Sequence, residues 1–115
     1  MAFEADVRRN EGVVVLELHG EVDGAADEAI NTAYEEAIAH NPKTVLINFD
    51  AVSYINSTGI ALIVGLLAEA RSSDRNVSVC GLSDHYKEIF EITRISDFVT
   101  MFADEQSAVA KASQS

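Results

Sequence analysis

Basic residues are scarce in this chain: 8 Lys and Arg stand against 19 Asp and Glu, a formal net charge of −11. Such a surface repels phosphate backbones and anionic headgroups, which argues against direct nucleic-acid binding. Cysteine is nearly absent. With Cys80 alone there is no internal disulfide, and that residue sits in an apolar run where a buried, inert thiol is expected. Stability must come from a hydrophobic core, and 115 residues suffice for one such core in a single domain. Long apolar runs are missing too. The longest, Ile60 to Ala68, falls well short of the ~20 residues that cross a bilayer, so it reads as a buried helix and no membrane insertion is expected. The opening Met1-Ala-Phe-Glu-Ala-Asp6 lacks the charged-then-apolar layout of a secretory signal, which leaves a cytoplasmic location as the expectation.

The signatures of common chemistries are also lacking. No Gly-rich loop ends in Gly-Lys-Ser or Gly-Lys-Thr, and no Gly-x-Gly-x-x-Gly follows a strand, so no nucleotide site is indicated. The hydrolase elbow Gly-x-Ser-x-Gly fails around Ser57, because Ile55 stands where its first glycine belongs. His19, His40 and His85 are far apart in sequence and suggest neither a triad nor a metal site. Neither an enzyme nor a cofactor is expected.

What is present is an alternation of strand and helix signals. Phe3 to Arg9 alternates weakly and Val13 to Leu18 strongly, with Glu11-Gly12 between them, which suggests a hairpin. From Gly24 to His40, Ala26, Ile30, Tyr34 and Ile38 recur every fourth position on an amphipathic helix that Pro42 brings to an end. Thr44 to Phe49 is apolar on both faces, as a central parallel strand should be. Ile60 to Arg71 reads as helix, Asn76 to Gly81 as strand, Asp84 to Ile92 as helix and Phe98 to Phe102 as a short strand. Asp104 to Ala112 completes the chain as a helix fraying through residues 113–115. The order implies an α/β domain over residues 1–112 with a mixed sheet.

One segment carries more than structure. Asn56-Ser57-Thr58-Gly59 lies between the Thr44–Asp50 strand and the apolar helix, so two hydroxyls sit at a helix N-terminus. There the unpaired N–H groups and the positive end of the dipole accept an anion. A phosphorylated hydroxyl would add about −1.5 to −2 charges without melting the helix. By itself the tetrapeptide is accounted for by capping alone. Asn56-Ser57-Thr58 also fits the N-glycosylation pattern, an accidental match in a cytoplasmic chain.

The context extends the match. Tyr54-Ile-Asn-Ser-Thr-Gly-Ile-Ala-Leu62 after a hydrophobic strand resembles the signature of the STAS family, the bacterial anti-sigma factor antagonists and their relatives. Gly20-Glu21-Val22-Asp23 resembles that family's link from second strand to first helix, and Val77 to Leu82 and Phe90 to Ile95 continue the likeness. The resemblance implies a mixed, mostly parallel sheet of four to five strands with helices mainly on one face. It implies a binding switch in which Ser57, with Thr58 as rival, is phosphorylated, and in which Glu21, Asp23, Asn56, Ser57, Thr58 and Gly59 meet the partner. The implied partners are a serine kinase that doubles as an anti-sigma factor and a PP2C-type phosphatase that resets the switch. Family members that switch in this way commonly carry Asp before the serine, where this chain has Asn56. The alternative implied by the same family is a ligand-binding or accessory module of a transport or lipid pathway, without phosphoswitching.

Overall fold

The computed structural model describes residues 3–112. Five strands form one sheet in sequential order: β1 (Glu4–Asn10), β2 (Val13–Val22), β3 (Thr44–Ile55), β4 (Asn76–Cys80) and β5 (Thr100–Phe102). The β1–β2 hairpin is antiparallel and every other pairing is parallel. Each parallel step needs a crossover, and helices supply it: α1 (Asp27–Ile38), α2 (Ser57–Ser72) and α3 (Asp84–Ile92).

The strand pattern decides where the helices pack. Val14, Leu16 and Leu18 of β2, Val45, Ile47 and Phe49 of β3, and Val79 of β4 point to one face. Ile30 and Tyr34 of α1, Ile63 and Leu66 of α2, and Phe90 of α3 close over them, with Phe49 and Phe90 edge to face at 6.2 Å. The other face is served by one helix. There α4 (Glu105–Ala112) sets Ala108 and Val109 on Val13, Val15, Leu46 and Cys80. The expected mixed, mostly parallel sheet with helices mainly on one face is the observed architecture. Among the described residues no helix is long and apolar enough to cross a membrane.

A polar clamp holds α4 down. The Glu105 carboxylate accepts from Arg8 Nη1 at 2.7 Å, Asn10 Nδ2 at 2.7 Å and Asn48 Nδ2 at 3.1 Å, and Arg8 Nη2 also bonds it. Asn48 is the buried polar residue of the sheet, and it accepts in turn from the Asp50 N–H at 2.8 Å. One carboxylate thus joins a helix to β1 and β3, which satisfies a side chain that would otherwise be buried unpaired. Cys80 lies beneath the same helix. Burial first, and then the carboxylates Asp50, Glu105 and Asp104, push its thiol up to about 12, so it is not a reactive nucleophile.

Several boundaries differ from the sequence expectations. β2 continues to Val22 and β3 to Ile55, so Gly20-Glu21 lies within a strand where a turn was expected. The cause is visible at Gly20, whose φ of +94° accompanies a register shift between Gly20 and Glu21. A glycine bulge in a strand carries the same signal as a turn. The first helix begins at Asp27 after a 3₁₀ turn at Gly24–Ala26, and α2 begins at Ser57 and not at Ile60. β5 begins at Thr100, leaving Phe98 exposed before it. The expected fraying at 113–115 lies outside the described residues.

The clamp makes stability depend on acid. Arg8 above all, helped by Asn10 and Asn48 and opposed by burial, lowers the Glu105 pKa from 4.5 to about 2. Because the folded value lies below the unfolded one, this stabilisation is complete above about pH 4.5 and fades as pH falls through about 2. Glu105→Gln should therefore lower the urea midpoint at neutral pH, and its deficit relative to wild type should shrink steadily below that upper limit. A deficit independent of pH would contradict this account.

Candidate functional site

The β2–β3 ladder brings the two sequence motifs together. Glu21 is registered with Tyr54 and Val22 with Ile55, so the end of β2 lies beside the segment that enters α2. Asn56 is the N-cap. Its extended backbone turns the chain into the helix, and its Oδ1 accepts from the Gly59 N–H at 2.8 Å. Ser57 and Thr58 follow as the first helical residues, both exposed. The Ser57 hydroxyl makes no hydrogen bond among the described residues, and no carboxylate lies in the first turn of α2. The positive end of the helix is therefore open to an anion.

Gly59 is buried, not open to an approaching molecule. A Cβ there would sit 2.0 Å from the Val22 carbonyl oxygen and 3.0 Å from Ile55 Cγ2. That carbonyl also accepts from the Asn56 N–H at 3.1 Å. The first turn of α2 is thus pressed against the end of β2, and only glycine allows it. The space that Gly59 clears is filled from within the fold, by the end of β2.

The flanks differ. Asp23 caps the 3₁₀ turn through Oδ1, which accepts from the Ala25 N–H at 3.0 Å. Glu21 is exposed, as is Tyr54 at 51%. Thr58 leans towards the same turn, since its Cγ2 lies 3.5 Å from where a Gly24 Cβ would be.

Tyr86 is a supporting residue that the sequence did not reveal. Its hydroxyl accepts from the Ile55 N–H at 2.9 Å, one residue before the cap, and so ties α3 to the entrance of α2. The contact spans 31 positions and has no local signal, beyond the placing of a tyrosine on an amphipathic helix. Among the described residues no hydrogen bond joins a histidine to Ser57. His85 lies against the Tyr86 ring at 4.9 Å, and His19 stands beside Asp6 and Glu17.

These contacts set the cost of substitution. Gly59→Ala should destabilise by about 3 kcal/mol or more, because the clash is with backbone that cannot rotate away. Asn56→Ala should lose about 1 kcal/mol with the cap, whereas Asn56→Asp should be nearly neutral. Urea denaturation of the three variants checks the ranking, and a Gly59→Ala protein as stable as wild type would refute the close approach.

Comparison with known proteins bears on this site. The anti-sigma-B factor antagonist of Staphylococcus aureus is 35% identical over 57 residues, 50% of this chain and 53% of that protein. The chain thus spans about half the length of the curated relatives it matches. The Bacillus cell fate determinant SpoIIAA in its phosphorylated form has the same fold, with a TM-score of 0.72 at 24% identity over 96% of this chain and 99% of that one. An anti-sigma factor antagonist from Mycobacterium paratuberculosis gives 0.81 at 18% identity over 99% and 96% of the two chains. The family model for the STAS domain matches residues 4–108, which take in every strand and the first half of the last helix, and the chain belongs to that family.

Proposed function

We propose that this protein is an anti-sigma factor antagonist controlled by phosphorylation of Ser57. The observation that carries the reading is an exposed, unengaged serine hydroxyl at the capped start of α2. The partial similarity to proteins named as antagonists of an anti-sigma factor supports the same reading. Those relatives are named for antagonism and not for a reaction, which agrees with a binding module. The unphosphorylated form docks on a serine-kinase anti-sigma factor and thereby frees a sigma factor. The kinase modifies Ser57, and a PP2C-type phosphatase restores it.

The contact surface is formed by Tyr54, Glu21, Ser57 and Thr58, all exposed, with Asn56 and Asp23 holding the two turns behind them. Tyr54 contributes an exposed aromatic anchor of the kind that dominates interface energies. Phosphate on Ser57 is accepted by the helix end, so the domain stays folded. Its cost arises at the interface, where a dianion must be desolvated. Glu21 adds repulsion for any acidic group brought in by the partner.

The test begins with the cognate kinase and site mapping by fragmentation. Phosphate is expected on Ser57 and absent from Ser57→Ala; phosphate on Thr58 would defeat the assignment. Enzymatically phosphorylated and unmodified protein are then compared by melting, amide spectra and partner titration. Expected are similar melts, shifts confined to the start of α2 and an affinity loss of about 100-fold, within the range of a buried unpaired charge. Global spectral change, or unchanged affinity, would refute the mechanism.

A further inference from the structure

Three donor atoms converge on the face of the β1–β2 hairpin that carries α4. Asp6 and Glu17 are directly paired across the antiparallel ladder, a placement of like charges that destabilises a strand pair. His19, two residues further along β2, turns its Nε2 towards both: 3.1 Å from Asp6 Oδ2 and 3.3 Å from Glu17 Oε1. All three ligand atoms lie within 4.8 Å of one another. Nε2 is closed to solvent and yet has no hydrogen-bond partner, so no N–H is aimed at either oxygen. Arg8 takes the other oxygen of Glu17 at 2.9 Å, leaving Oε1 to face the histidine. Two carboxylate oxygens and an imidazole nitrogen thus face one gap, in which a metal cation would be met by all three.

We propose that Asp6, Glu17 and His19 bind a divalent transition-metal ion, with Zn²⁺ the best match. One imidazole nitrogen and two carboxylate oxygens form a donor set that zinc takes readily. Bonds of ~2.0–2.2 Å arranged tetrahedrally separate ligand atoms by about 3.3–3.6 Å. The two distances from Nε2 lie at or just inside that edge, so the imidazole needs little movement. Mg²⁺ and Ca²⁺ call for about six or more oxygens and are poorly served. The Asp6 side chain is 66% exposed, which leaves the fourth position open to water. Glu17 and His19 ride on one strand and Asp6 on its neighbour, so the ion would clamp the edge strand to the sheet. The site uses none of the groups around Ser57 and stands or falls apart from the switch.

Calorimetric titration of the full chain with zinc chloride, in a buffer that does not chelate, tests the site. One saturable zinc per chain is expected, with a tetrahedral absorption spectrum for Co²⁺ and a rise in melting temperature. Asp6→Asn and His19→Ala should each weaken binding by roughly tenfold or more, since even outer-shell changes cost that much. His85→Ala should bind as wild type does. Side-chain shifts of His19 on adding zinc to the unaltered protein read the same site without mutation. No saturable binding would overturn the proposal, as would zinc affinity unchanged in Asp6→Asn and His19→Ala. A protonated His19 held between two carboxylates and indifferent to zinc is the first of these outcomes.

Discussion

The carbonyl of Val22 is the point on which the site depends. It accepts the Asn56 N–H, and it lies where any side chain at position 59 would have to go. The strand end and the helix start therefore meet at backbone distance. From that contact follow the direction in which α2 leaves the sheet, the cap geometry at Asn56 and the outward aim of Ser57. The backbone that carries Ser57 is thus fixed by contacts in which its hydroxyl takes no part.

The two faces of the sheet are built on different principles. Three helices and the larger apolar cluster cover one face, where burial of leucine, isoleucine and phenylalanine supplies the stability. The other face relies on a single eight-residue helix that buries two small apolar side chains, with Ala112 partly buried beside them. Too little apolar area is available there for burial alone, and charge-assisted bonds from Arg8, Asn10 and Asn48 to Glu105 make up the difference. The polar residues of β1 thus have a structural purpose that an exposed edge strand would not suggest.

How much of this could be read from the residues follows physical lines. The first half of β3, Val45 to Phe49, is buried, and its apolar run, broken only by Asn48, identified it. The second half, from Asp50 to Tyr54, has only β2 beside it, because pairing with β4 ends at Asn48. With one side unpaired, Asp50, Ser53 and Tyr54 are exposed and only Val52 still packs on the core, so the strand signal fades. Ser57 and its cap were legible because N-terminal capping is chemistry local to four residues. Tyr86, the Glu105 clamp and the meeting of His19 with Asp6 were not, since each depends on register or on contacts between residues distant in sequence. Gly59 stands out within the motif, but the close approach it permits is to Val22, which no local pattern connects to it.

The edges of the sheet bear on supply. Under the proposed function each copy would occupy one partner, so the protein would be needed at a concentration comparable to that of what it binds. Open strand edges normally limit such concentrations, because unpaired backbone recruits another chain. Here one edge is β1, studded with Glu4, Asp6, Arg8 and Arg9, and the other is β5, only three residues long. Neither offers a long apolar template on which a second molecule could extend the sheet.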